Sequence, residues 1–118
     1  MKTFSQGWPF EGTSSGNTAN SSAGLALQVV FPASTANKRN YLAYLAWSVG
    51  VPGTSQRVKV YDGTSSGPAI FNLSVVSSGT VGLPIGSLRG TPGRAMTIDL
   101  STGGTGWQDL NAYGFVGD

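Results

Sequence analysis

The chain has 118 residues, seven basic and five acidic side chains for a net charge of +2, 18 glycines, and neither cysteine nor histidine. One domain is expected, because a second core would leave each half too small to bury enough apolar surface. The missing His and Cys exclude Ser-His-Asp and Cys-His nucleophile systems, thiol redox centres and zinc sites built from nitrogen and sulfur ligands. Residues 1–22 are rich in Gly, Ser, Thr and Asn and have no sustained period, yet they carry Phe4, Trp8 and Phe10. They read as an extended N-terminal arm. Its aromatics either pack on their own domain or anchor a neighbour, as a capsid or subunit contact.

From residue 23 the pattern changes to alternation with β-branched and aromatic enrichment. Leu25, Leu27, Val29 and Phe31 share one face of a first strand that Pro32 ends. Residues 41–49 form the strongest apolar run. Tyr41, Ala43, Leu45, Trp47 and Val49 alternate as a buried central strand would, and Gly50, Pro52 and Gly53 follow. Residues 56–62 read as a strand with Val58 and Val60 inward and Arg57, Lys59 and Tyr61 outward, closed by Asp62-Gly63. Further strands are expected at 69–76, at 80–85, at 94–100 with Met96, Ile98 and Leu100 on one face, and at 111–116. Seven or eight short strands and no amphipathic helix predict an all-β chain, with residues 23–118 as a single antiparallel β-sandwich or barrel domain.

The charged fraction is 10%, well under the roughly 25% of ordinary soluble domains, so Gly, Ser and Thr take much of the surface. Such a surface loses little rotamer entropy when another protein covers it. Lys38, Arg39, Arg57, Lys59, Arg89 and Arg94 are dispersed, which argues against a nucleic-acid partner. The absence of a long apolar run argues against a membrane partner and a secretory leader, and for synthesis in the cytoplasm.

Glu11, Asp62, Asp99, Asp109 and Asp118 are the only carboxylates, so a hydrolase would need two of Asp62, Asp99 and Asp109 to converge. Turn and solvated roles are the simpler reading, and no enzyme activity, cofactor or metal is expected. The glycine-rich stretch 101–106 lacks the lysine ending of a phosphate loop and reads as a hairpin connection. Gly-Thr-Ser-Ser-Gly occurs at 12–16 and 63–67 with unmatched flanks, as two turns of like composition. Trp8, Trp47, Trp107 and Tyr41, Tyr44, Tyr61 and Tyr113 would suit a sugar-stacking platform, with Trp47 read as core and Trp107 as an exposed loop aromatic. Lys38-Arg39, ahead of the longest apolar strand, could meet an acidic partner surface.

The order of segments resembles a known group. Lys-Arg before a long apolar strand (38–49), Val-Lys-Val-Tyr-Asp-Gly with Gly-Pro after it (58–68), the run at 82–98 and a terminal Ala-Tyr-Gly-Phe-Val (112–116) together resemble small jelly-roll virion proteins of tailed bacteriophages, notably head decoration or cement proteins. The resemblance implies a jelly-roll homotrimer on the outer surface of an icosahedral head. There it would bridge major capsid protein subunits and stabilise the shell, with the arm reaching a neighbour. The competing class is a carbohydrate- or receptor-binding β-sandwich module of a phage fibre or adhesin.

Overall fold

The computed structural model describes residues 16–21, 26–33, 35–50, 55–83, 88–102 and 107–117. They form eight strands: β1 (Gly16–Ser21), β2 (Leu27–Phe31), β3 (Arg39–Ser48), β4 (Gln56–Asp62), β5 (Ala69–Val75), β6 (Gly79–Gly82), β7 (Met96–Leu100) and β8 (Gln108–Gly117). One sheet has the order β1-β8-β3-β6 and the other β2-β7-β4-β5. All pairings are antiparallel, and β4·β5, β3·β6, β2·β7 and β1·β8 nest inside one another. That nesting is a long hairpin rolled on itself, the jelly-roll arrangement of two four-stranded sheets.

Side-chain alternation explains why these segments pair as they do. In β2, Leu27, Val29 and Phe31 are buried while Gln28 and Val30 are exposed. Val58 and Val60 in β4 and Met96, Ile98 and Leu100 in β7 are fully buried and close the core from the β2-β7-β4-β5 sheet. Facing them are Leu42, Leu45 and Trp47 of β3 and Leu110 and Ala112 of β8.

The long strand β3 departs from the simple alternation. Its register against β8 shifts between Leu42 and Tyr44, a bulge that gives β3 one extra residue. Leu42 faces the core ahead of the bulge, and Leu45 and Trp47 face it afterwards. Ala43, expected inward, is only half-buried, and Tyr41 lies on the side opposite Leu42. The sequence expectation of one unbroken inward row from Tyr41 to Val49 is corrected by that inserted residue.

Other boundaries also move. β6 ends at Gly82, short of the expected strand to residue 85, and β8 starts at Gln108, three residues earlier than expected. β1, at the end of the segment read as an arm, was not expected as a strand at all. Its residues carry no apolar alternation, and it is defined by register alone, from Gly16 opposite Tyr113 to Ser21 opposite Gln108.

Buried polar groups tie the ends of the roll. At one end Asp62, which closes β4, accepts hydrogen bonds from the Thr91 backbone N–H at 3.0 Å and the Thr91 hydroxyl at 2.5 Å. Arg94 stands 3.9 Å from the same carboxylate, but its side chain is half-exposed and adds little. At the other end Gln56 and Gln108 are buried side by side, Gln56 Nε2 donating to Gln108 Oε1 at 3.0 Å and to the Ser101 carbonyl at 2.8 Å. The repeat at 63–67 forms the β4–β5 turn, where Gly63 has φ 104°; a Cβ on Gly67 would sit 2.6 Å from the Asp62 carbonyl oxygen.

Asp62→Ala is expected to lower stability by about 2 kcal/mol, because hydrogen bonds to an ionised acceptor are lost and Thr91 loses its partner. A thermal melt reads this directly. An unchanged midpoint would show that the tie between the β4–β5 turn and the 83–95 connection contributes nothing.

Candidate functional site

The bulge in β3 has a second effect on the outer face of the β1-β8-β3-β6 sheet. It places Tyr41 and Tyr44 on that face three residues apart, where β8 sets Phe115 opposite Tyr41 and Tyr113 opposite Tyr44. In β8 the small residues Ala112 and Gly114 point inward, so the large aromatics are left to point out. Tyr41 and Phe115 stack with ring centroids 4.7 Å apart and planes 6° from parallel. Tyr44 and Tyr113 meet at 6.1 Å with a 46° tilt.

The two pairs differ in exposure. Tyr41 and Phe115 keep only 8% and 7% of their surface accessible, whereas Tyr44 and Tyr113 keep 38% and 44%. Gly82 lies opposite Tyr44 in β6 and brings no side chain to cover its ring. Farther along the same face Ser48 donates a 2.7 Å hydrogen bond to Asp109, which fixes that carboxylate on the sheet surface. The result is an aromatic strip at one end of the face and a polar patch at the other. Rigid tyrosine rings held by a sheet offer apolar area and a hydroxyl at small entropic cost, the composition typical of protein contact surfaces.

Of the residues singled out in the sequence, those that are described are not gathered at one place. Phe4, Trp8 and Phe10 lie outside the described residues. The Lys38 carbonyl accepts from Gly93 N–H at 2.8 Å, and Arg39 donates to the Gly90 carbonyl at 3.5 Å, so both help hold the connection before β7. Trp107 stands just ahead of β8 with 66% of its surface exposed. Trp47 is only 8% exposed and donates from Nε1 to the Ser77 carbonyl at 2.8 Å, a core role.

Asp62 closes a loop contact, Asp99 lies on the outer face of the β2-β7-β4-β5 sheet beside Gln28, and Asp109 lies on the outer face of the other sheet. The carboxylate pair that a hydrolase needs is therefore not assembled among these three; Glu11 and Asp118 are outside the described residues. No group of three or more Asp or Glu that could hold a metal ion occurs among the described residues.

The strip of Tyr41, Tyr44, Tyr113 and Phe115 was not expected as a unit. Its signal was present in β8, where Ala-Tyr-Gly-Phe alternates small with large. Alternation alone does not say which set faces the core.

No family model matches the chain, and no curated protein matches it. Among solved structures it is similar to the structure of infectious bursal disease virus Gt strain, with 13% identity and a TM-score of 0.36 over 86% of this chain and 30% of that one. A second is the structure of infectious bursal disease virus Gx strain, with 13% identity and a TM-score of 0.26 over 85% of this chain and 34% of that one. The chain spans about a third of the length of these solved chains.

Proposed function

We propose that this chain is a virion structural protein of the head decoration type, attached to the outside of an icosahedral shell where it bridges major capsid protein subunits. The observation that carries this reading is the aromatic strip on the outer face of a charge-poor jelly roll. Tyr44 and Tyr113 are held ready on a rigid sheet and left partly uncovered. The mechanism needs no chemistry. A protein that binds the assembled shell and not its separated subunits stabilises the shell by mass action, by about 2.7 kcal/mol per site at a concentration 100 times Kd. Three linked copies would add avidity, since each weak contact raises the effective concentration of the next.

The homotrimer comes with the resemblance to phage decoration proteins, and light scattering across a dilution series reads it. A mass near three times 12.1 kDa is expected; 12.1 kDa at every concentration would contradict it.

The contribution of the arm is separable from that of the domain. Removing residues 1–22 would also remove β1 and uncover its partner edge on β8, so the informative truncation starts at Gly16. The truncated chain is expected to melt as the parent does but to bind shells at least about tenfold more weakly, a loss of about 1.4 kcal/mol. Unchanged binding, measured by sedimentation with shells, would remove the arm from the contact.

A further inference from the structure

The outer face of the β2-β7-β4-β5 sheet has the opposite character. β4 turns Arg57, Lys59 and Tyr61 outward, and the register sets Asp99 of β7 directly between Gln28 of β2 and Lys59 of β4. A trough of about 390 Å³ lies over this row, its lining including those five residues and Ser101. That volume falls within the roughly 300–1,000 Å³ of small-molecule sites.

A polar outer face is what any solvated sheet presents, so the arrangement within the trough decides the matter. Gln28 Nε2 donates to Asp99 Oδ1 at 3.0 Å, which orients the carboxylate and leaves its other oxygen free of that bond. Arg57 is steered by Asn72, to whose Oδ1 it donates at 3.0 Å. Lys59 stands between Asp99 and Asn72 in the row with neither within ion-pair or hydrogen-bond reach among the described contacts, and Tyr61 is half-buried beside it. In a chain with so few charged side chains, two cations and one carboxylate share this depression.

We propose that the trough binds an acidic saccharide, a sugar bearing a ring or glycosidic carboxylate. The Lys59 ammonium and the Arg57 guanidinium supply the positive field for the carboxylate. Asp99 and Gln28, side by side, accept from and donate to neighbouring hydroxyls. The Tyr61 ring offers an apolar face to the C–H side of the sugar. This site is on the sheet opposite the aromatic strip, so occupancy of one leaves the other open, and its test is independent of shell binding.

The experiment is a calorimetric and amide-shift titration of the full chain with an oligogalacturonate, with sialyllactose, and with lactose as the uncharged control. Binding of at least one carboxylated sugar is expected, with perturbed amides in β2, β4 and β7 and at least about tenfold preference over lactose. The arm that binds distinguishes a uronate from a sialate source. Lys59→Ala and Lys59→Gln are expected to abolish the preference, Tyr61→Ala to weaken all sugars, and Trp107→Ala to change nothing. The Lys59 and Trp107 variants keep the parent melting midpoint, because Lys59 lies on the outer face and Trp107 is largely exposed, and Tyr61→Ala lowers it modestly without unfolding the domain. The proposal is overturned if neither acidic sugar binds at ~10 mM, if lactose binds equally well, if the Lys59 variants bind as the parent does, or if inorganic polyphosphate competes as strongly as the sugars.

Discussion

Gly114→Ala is expected to cost about 3 kcal/mol or more and to leave little folded protein at 37 °C. Gly114 lies in β8 opposite Leu42, on the inward side of the sheet just where the β3 bulge begins. A Cβ there would come within 2.5 Å of the Phe31 ring, which reaches across from β2 in the other sheet, and would also run into the Tyr41 carbonyl oxygen. Neither neighbour can retreat cheaply. Phe31 is fully buried, and the Tyr41 carbonyl belongs to the backbone of a central strand. Backbone approach, rather than a positive φ, is what requires glycine at this position. Urea denaturation measures the cost. A midpoint equal to that of the parent would contradict the Leu42–Gly114 register, and with it the position of the bulge.

Trp47→Ala is expected to lower stability by about 3 to 5 kcal/mol. Trp47 is only 8% exposed and its indole fills the space against Gly79, where an added Cβ would sit 3.0 Å from its ring. Its Nε1 donates to the Ser77 carbonyl in the β5–β6 connection, so truncation removes packing and leaves that carbonyl without its donor. Trp47→Phe separates the two contributions. It keeps most of the apolar area and loses the hydrogen bond, for an expected cost of about 1 kcal/mol from the bond plus a smaller packing loss. Equal melting of Trp47→Ala and the parent would place the ring outside the core.

Much of the fold was legible because period-two alternation is a direct consequence of strands that have one face on a core. In β2, β4 and β7 the inward apolar residues were read correctly, since Leu27, Val29, Phe31, Val58, Val60, Met96, Ile98 and Leu100 recur at every second position, but buried Gln56, Asp62 and Thr97 were not. β1 was not legible. Gly-Asn-Thr-Ala-Asn-Ser carries no pattern, and its place comes from hydrogen bonding to the β8 edge, a long-range term no local window contains. The bulge at Ala43 was hidden for a related reason, because an apolar run offers an inward residue in either register.

The candidate surface was less legible than the fold. Tyr41, Tyr44 and Tyr113 could be named as candidate platform residues, but their union with one another and with Phe115 depends on the bulge and on β8 presenting its small residues to the core. Asp62 was read as a turn residue, yet its carboxylate is engaged by Thr91, 29 positions along the chain. The trough on the opposite sheet follows from placing Gln28, Lys59 and Asp99 in one row, and only the strand order β2-β7-β4 does that.

The most direct test of the proposed virion role is sedimentation of the chain with icosahedral shells of the kind proposed to bind it, stripped of any decoration protein, comparing the parent with the Tyr44→Ala, Tyr113→Ala double variant. Both side chains are partly exposed on the outer face, so the double variant keeps the parent fold, with a modest drop in melting midpoint from the lost cross-strand ring pair. The parent is expected to co-sediment to saturation at a fixed number of copies per shell. The double variant is expected to bind at least about tenfold more weakly, loss of aromatic anchors being the commonest way such a contact fails. A parent that stays in the supernatant, or a double variant that binds as the parent does, would contradict the assignment of this face to the shell.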